Sequence, residues 1–315
     1  MLDKVEILKF DKSINLNHFN TSKVTDMGYM FYRCNSLLLL DLSNFDTSNV
    51  NIINSMFNGC SSLESLNLSH FDTSNMINMG HMFNGSSSLA SLDLSHFNTS
   101  KVKYMDNMFK GCESLTSLDL SSFNTSSLLN AGSMFLNCSQ LISLNLGNFD
   151  TSIVENMENM FSNCQSLTIL NLSNFNTSKT KSMSKMFYNC TNLQFINIQN
   201  FDISSLTNSI LDLTPDNLVI CLGEKVSFIN QINSSKKCYS FDCSINWREN
   251  QNKIIAKNNT CIESCSDDNI FVFEYENRCY DKCPNGTYPI NSSCINENLS
   301  PSNISSNNTI FYIKI

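Results

Sequence analysis

The chain has 315 residues, 15% of them charged, and a net charge of −8. It offers no basic stripe to neutralise phosphates or an anionic bilayer surface, which excludes nucleic-acid binding and a polybasic membrane contact. No run of 18 apolar residues occurs, so no segment reads as a membrane-spanning helix.

The opening MLDKVEILKFDK mixes acid and base every few residues and lacks an apolar signal core. Val5 and Leu8 fall in the columns later held by Phe31 and Cys34. The array therefore begins inside a repeat, either with an improvised cap or as a piece of a longer chain. Any export signal and membrane anchor are expected in sequence beyond these residues.

From Leu37 the stretch LLLLDLSNFDTSNVNIINSMFNGCSS is written again from Leu63, Leu89, Leu115, Leu141 and Leu167, and more loosely from Leu193. The period is 26 residues, and Phe recurs in register at Phe19, Phe45, Phe71, Phe97, Phe123, Phe149, Phe175 and Phe201. A fixed period of this size marks a solenoid. Within one unit, Leu40 and Leu42 flank Asp41 at strand spacing, so the leucines face in and Asp41 out. Phe45 turns inward, and Asp46, Thr47 and Ser48 suit a turn or a helix N-cap. Ile53, Met56, Phe57 and Cys60 then follow at i, i+3, i+4, i+7, which predicts one face of a short helix.

The expected fold class is an α/β solenoid, a right-handed coil stack with a parallel sheet on one face and short helices on the other. About seven to eight coils span 1–225. A lone coil is unstable: about seven apolar side chains at roughly 1.5–3 kcal/mol each face a backbone entropy cost of about 1–2 kcal/mol for every ordered residue. Stacked at about 4.8 Å, the strands would make a sheet roughly 35 Å long.

The phrases LDLSNFDTSNV and MFNGCSSLESLNLSHFDTS resemble the BspA-like leucine-rich repeats of microbial surface proteins, over about Ile14 to Ser204. The resemblance implies surface display, adhesion and protein binding, and no catalysis. It departs from ordinary leucine-rich repeats at Phe45, which stands where they carry a buried Asn. An Asn ladder is therefore not assumed.

The pattern decays after Phe201: Ile203 replaces Thr, Leu213 stands in the Phe column, and LVICL (218–222) reads as a closing strand. Residues 226–298 are expected to form a cysteine-rich module and 299–315 a mobile tail. The stretch CIESCSDDNIFVFEYENRCYDKCPNGTYPINSSC is similar to growth-factor-receptor or furin-like cysteine-rich modules. By that analogy alone, Cys261–Cys279 and Cys265–Cys283 would interlock.

The fourteen cysteines divide into two groups. Those in the repeats (Cys34, Cys60, Cys112, Cys138, Cys164, Cys190) share one column with Ser86. On packed helices about 8–10 Å apart they would lie too far from one another to bridge, so they read as small buried fillers. The later eight (Cys221, Cys238, Cys243, Cys261, Cys265, Cys279, Cys283, Cys294) form an even set in a core-poor segment, which favours disulfides over zinc. Sequons at Asn233, Asn258, Asn285, Asn291 and Asn303 are candidate glycosylation sites. Disulfides and sequons together point to the cell surface or exterior.

The outward strand column carries Asp41, Asn67, Asp93, Asp119, Asn145, Asn171 and Asn197. Stacked carboxylates there would suit calcium, but Asn interrupts the run and a solvated polar stripe fits better. His18, His70 and His96 share a column, read as a polar ladder rather than a metal site. One position before the inward Leu, serines give way to Ile169 and Phe195, expected as exposed anchors. The partner-binding candidates are thus Asp41, Asp93, Asp119, Ile169 and Phe195. No catalytic, cofactor or metal constellation is read, and an enzyme is the least expected class. The expected function is adhesion or binding of a protein or glycan. The alternatives are a signalling-receptor ectodomain and an intracellular scaffold with reduced cysteines.

Overall fold

Where the spacing of Ile53, Met56, Phe57 and Cys60 predicted a helix, the chain makes tandem turns. The amides of Met56, Asn58 and Cys60 bond the carbonyls of Ile53, Ser55 and Phe57, three residues back, at 3.1–3.2 Å. The alternate amides of Ile53, Ser55, Phe57 and Gly59 instead reach the next coil, at Asn78, Gly80, Met82 and Asn84, at 2.7–3.1 Å. Two columns hold positive φ: Ser55, His81, Asn107 and their equivalents, and Gly59, Gly85, Gly111, Asn137, Asn163 and Asn189. A left-handed residue every fourth position stops helix propagation. Four-residue turns keep the same apolar set inside, so Met56, Phe57 and Cys60 are fully buried. Among the described residues there is no helix, which corrects the expected α/β class to an all-β and turn solenoid.

The computed structural model describes residues 12–16, 18–202, 209–216 and 218–223, and then 238–240, 254–255, 261–262, 273–275, 278–280, 282–285, 287–290 and 293–296. The chain divides into two compact units, Met1–Glu249 and Asn250–Ile315. The tail at 299–315 lies outside the described residues.

In the first unit, parallel bridges run without a break through Asp26, Ile52, Asn78, Tyr104, Asn130, Asn156 and Ser182. The leucine face carries β1 (Ser13–Ile14), β2 (Leu39–Leu40), β3 (Ser117–Asp119), β4 (Ser143–Asn145), β5 (Ile169–Asn171), β6 (Phe195–Asn197), β7 (Val219–Cys221) and β8 (Cys238–Ser240). Among the described residues it is not one long sheet but three: β1-β2, β3-β4 and β5-β6-β7-β8. The longest run of pairing falls where Ile169, Phe195, Ile196, Val219 and Ile220 supply β-branched and aromatic surface. The continuous backbone spine is therefore the turn segment.

Pairs such as Ser117↔Ser143 keep the 26-residue step, but Phe195 pairs with Val219, a step of 24. This contraction puts Leu211, not Leu213, in the Phe column: Phe187 donates to the Ile210 carbonyl, Leu211 is buried and Leu213 is exposed. Strand β7 does not close the stack, because β8 pairs with it.

The core is a set of parallel columns. Phe31, Phe57, Phe83, Phe109, Phe135, Phe161 and Phe187 stack with centroids 5.5–5.8 Å apart and planes within 9°. Thr21, Thr47, Thr73, Thr99, Thr125, Thr151 and Thr177 are buried as well. The Thr125 hydroxyl donates to the Asp150 carbonyl (2.9 Å) and accepts the Asp150 amide (2.7 Å). One side chain thus satisfies both backbone groups of a residue in the next coil. This column does the work that a buried Asn does in ordinary leucine-rich repeats.

The repeat cysteines are not mere fillers. Cys60, Cys112, Cys138, Cys164 and Cys190 each donate a thiol proton to a Phe carbonyl of the preceding coil at 3.1–3.2 Å. Ser86 does the same at 2.9 Å. The coils are strand-spaced, not helix-spaced, so the distance argument against bridging falls; none of the six cysteines is in a disulfide all the same. Parallel Cβ vectors about 4.8 Å apart miss the roughly 3.8 Å a disulfide needs.

Burial pushes the Cys60, Cys138 and Cys190 thiols up to about 12. The folded state then holds protons that unfolded thiols release, so this stability is complete below pH 9 and lost as pH rises from 9 towards 12. Cys138→Ser keeps the donor and is expected within about 1 kcal/mol of the parent at pH 7 in urea denaturation, with a weaker loss of stability at pH 10. Cys138→Ala is expected to lose about 1–2 kcal/mol.

The second unit contains β9 (Ile254–Ile255), β10 (Cys261–Ile262), β11 (Phe273–Tyr275), β12 (Arg278–Tyr280), β13 (Thr287–Ile290) and β14 (Ser293–Asn296), in the order β10-β9-β12-β11-β14-β13. Cys283 and Cys294 form a disulfide, which overturns the Cys265–Cys283 pairing expected by analogy. Cys221 and Cys279 are also disulfide-bonded. The side chains of Cys238, Cys243, Cys261 and Cys265 lie outside the described residues.

Candidate functional site

The outward strand column is set by local chemistry before any ligand is considered. An Asp or Asn one step after the inward Leu accepts the amide two residues on: Asp41 from Ser43, Asn67 from Ser69, Asp93 from Ser95, Asp119 from Ser121, Asn145 from Gly147 and Asn171 from Ser173, at 2.8–3.2 Å. These Asx turns end each strand and aim the chain at the buried Phe. The Ser95 amide and hydroxyl hold the Asp93 carboxyl below its ordinary value, and the Ser121 hydroxyl and amide do so for Asp119. Both are ionised at neutral pH, and both are exposed.

Between the coils of Asp93 and Asp119 the strand ladder lapses. Leu120 donates to the Asn145 carbonyl at 2.8 Å, yet among the described residues no such bond joins Leu94 to the following coil. A groove of about 450 Å³ opens there, with Ser91, Asp93 and Ser95 on one bank and Ser117, Asp119 and Ser121 on the other. The lining pairs hydroxyls, which donate and accept, with carboxylates, which only accept; it contains no cation. A second recess of about 320 Å³ lies on the turn segment over Gly132, between Asp106 and Glu158; Asp106 is already engaged by His81 at 3.3 Å.

The structure brings Asp93 and Asp119 together across the groove and places Asp41 on the same face. Ile169 is 40% exposed, but Phe195 is fully buried, which corrects its reading as an exposed anchor. Every position of β6 and β7 is buried, so this end of the leucine face is not open. In the His column, His96 Nε2 donates to the Leu68 carbonyl of the preceding coil at 2.7 Å, as Asn44 does to Leu16 at 3.1 Å. Asn285 sits exposed in a turn; Asn233, Asn258, Asn291 and Asn303 lie outside the described residues.

Sequence reasoning missed the exposed Leu38, Leu39 and Ile142 of the leucine face. The signal was present, since each departs from the residue its column usually holds. It also missed the Thr column, whose signal was a Thr that never becomes Ser over seven coils.

Short parallel strands, an inward leucine pattern and coil-to-coil side-chain ladders define a leucine-rich-repeat-like solenoid. The chain belongs to the family described as "Mycoplasma protein of unknown function, DUF285", whose model matches residues 3–117, 63–144 and 116–211. A search of curated proteins finds no match. Among solved structures, a leucine-rich repeat protein from Bacteroides ovatus is 17% identical with a TM-score of 0.37, covering 69% of this chain and 66% of its own. The T. pallidum leucine-rich repeat protein TpLRR is 19% identical with a TM-score of 0.23, covering 67% and 72%.

Proposed function

We propose that this is a non-catalytic BspA-like repeat protein, secreted or displayed at the cell surface, that binds a protein or glycan partner through its leucine face. The observation that carries this reading is the division of each coil. Phe, Thr, Cys and Met columns are locked into the core, while the outward leucine-face positions before β6 are largely exposed and vary from copy to copy. There Leu39 is 69% and Ile142 59% exposed, on either side of the polar groove. Disulfides at Cys221, Cys279 and Cys283–Cys294 favour an oxidising location. The second unit serves in this reading as a growth-factor-receptor-like or furin-like spacer toward a membrane.

The test is binding of the native chain to a panel of extracellular-matrix proteins and a glycan array. Ser117→Trp with Ser143→Trp is expected to weaken binding at least tenfold by blocking the face. Ile77→Trp, on the turn segment, is expected to leave it unchanged. Binding that survives the blocked face rules out this site.

A further inference from the structure

Charge is sorted by position within the coil. From Ser36 to Ser204, the arc running from each strand through its Phe and Thr turn carries Asp41, Asp46, Glu64, Asp72, Asp93, Asp119, Asp150 and Asp202, and neither Lys nor Arg. The lysines of this span all fall outside that arc, at Lys101, Lys103, Lys110, Lys179, Lys181 and Lys185, where acids accompany them. The whole chain is only −8, so this arc holds an excess equal to the entire net charge.

The geometry points to a lysine- or arginine-bearing protein segment as the occupant of the leucine-face groove. Three features select it. Asp93 and Asp119 stand one coil apart on opposite banks of the groove, so both carboxylates line the space a cation would enter. In each, one oxygen is fixed by the Asx turn, which orients the other without further ordering cost. The groove between them is open and lined by serines, whose hydroxyls accept and donate to a peptide backbone. An anionic partner would meet unrelieved repulsion along the arc, and a neutral glycan would leave the charge unused. This inference rests on the leucine-face reading above and narrows its partner to one chemistry.

The Asx column supplies a fold-neutral test. Asn67, Asn145 and Asn171 make the same turn as Asp93 and Asp119, so Asp→Asn removes charge and keeps the structure. The probe is a fluorescein-labelled hexalysine peptide at 50 and 200 mM salt. Asp93→Asn with Asp119→Asn is expected to weaken binding about tenfold and to flatten its salt dependence. Glu155→Gln with Glu158→Gln, which removes the same charge from the turn segment, is expected to change affinity less than twofold. Equal loss in both variants shows diffuse attraction and overturns the inference, as does absence of hexalysine binding. If hexalysine fails while array ligands are lost in the Ser117→Trp and Ser143→Trp variant, the leucine-face reading stands and only the basic partner is rejected.

Discussion

Phe109→Ala is expected to cost about 3–5 kcal/mol, the range for truncating a fully buried aromatic in a rigid core. Phe109 stacks on Phe83 and Phe135, each 5.7 Å away, and is 0% exposed. The backbone there is pinned by amide ladders to both neighbouring coils, so the cavity cannot collapse. A solenoid also has only nearest-neighbour contacts, so a lesion at the centre weakens both the coil and its two interfaces. Urea denaturation followed by circular dichroism is expected to show a lower midpoint and a shallower transition, as the halves uncouple. An unchanged midpoint would mean that the aromatic stack is not what couples the coils.

Thr125→Val should be the next most damaging change, at about 2–3 kcal/mol, although it preserves shape. It removes the one hydroxyl that both accepts the amide and donates to the carbonyl of Asp150. Thr125→Ser keeps those bonds, loses one methyl and is expected to cost about 1 kcal/mol. The order Val worse than Ser, read from urea midpoints, separates a hydrogen-bond column from a packing column. The reverse order would show that the methyl, not the hydroxyl, is what the buried Thr contributes.

Much of the fold was legible because the copies average out local noise. The strand leucines, the inward Phe and the outward Asp column follow from a period of two read eight times over. The turn segment was misread because a period of four and a period of 3.6 select the same apolar positions over two turns. The discriminating signal was polar, not apolar: Gly59, Gly85 and Gly111 aligned with Asn137, Asn163 and Asn189 at positions that need positive φ. In the later coils those asparagines also bond one another side chain to side chain, Asn163 to Asn137 at 2.7 Å and Asn189 to Asn163 at 2.8 Å. An asparagine ladder therefore exists, on the turn segment rather than beside the strand.

The candidate site was legible only in part. Asp41, Asp93 and Asp119 were found because alternation along a strand dictates which side chain faces out. Phe195 was misplaced because the same alternation does not reveal what covers a strand, and β6 is buried at every position. The groove was invisible, since it lies where the strand ladder between the coils of Asp93 and Asp119 lapses, which local order does not show.

By itself the sequence determined the 26-residue coil, its buried Leu, Phe, Met and Cys columns and its outward Asp/Asn column, because these depend on residue type at a fixed period. Only the tertiary structure decided that the turn segment is the continuous spine and the leucine face the broken one. The reason is that each coil satisfies its backbone mainly through its neighbours, and a partner that lies one period away cannot be read from local order.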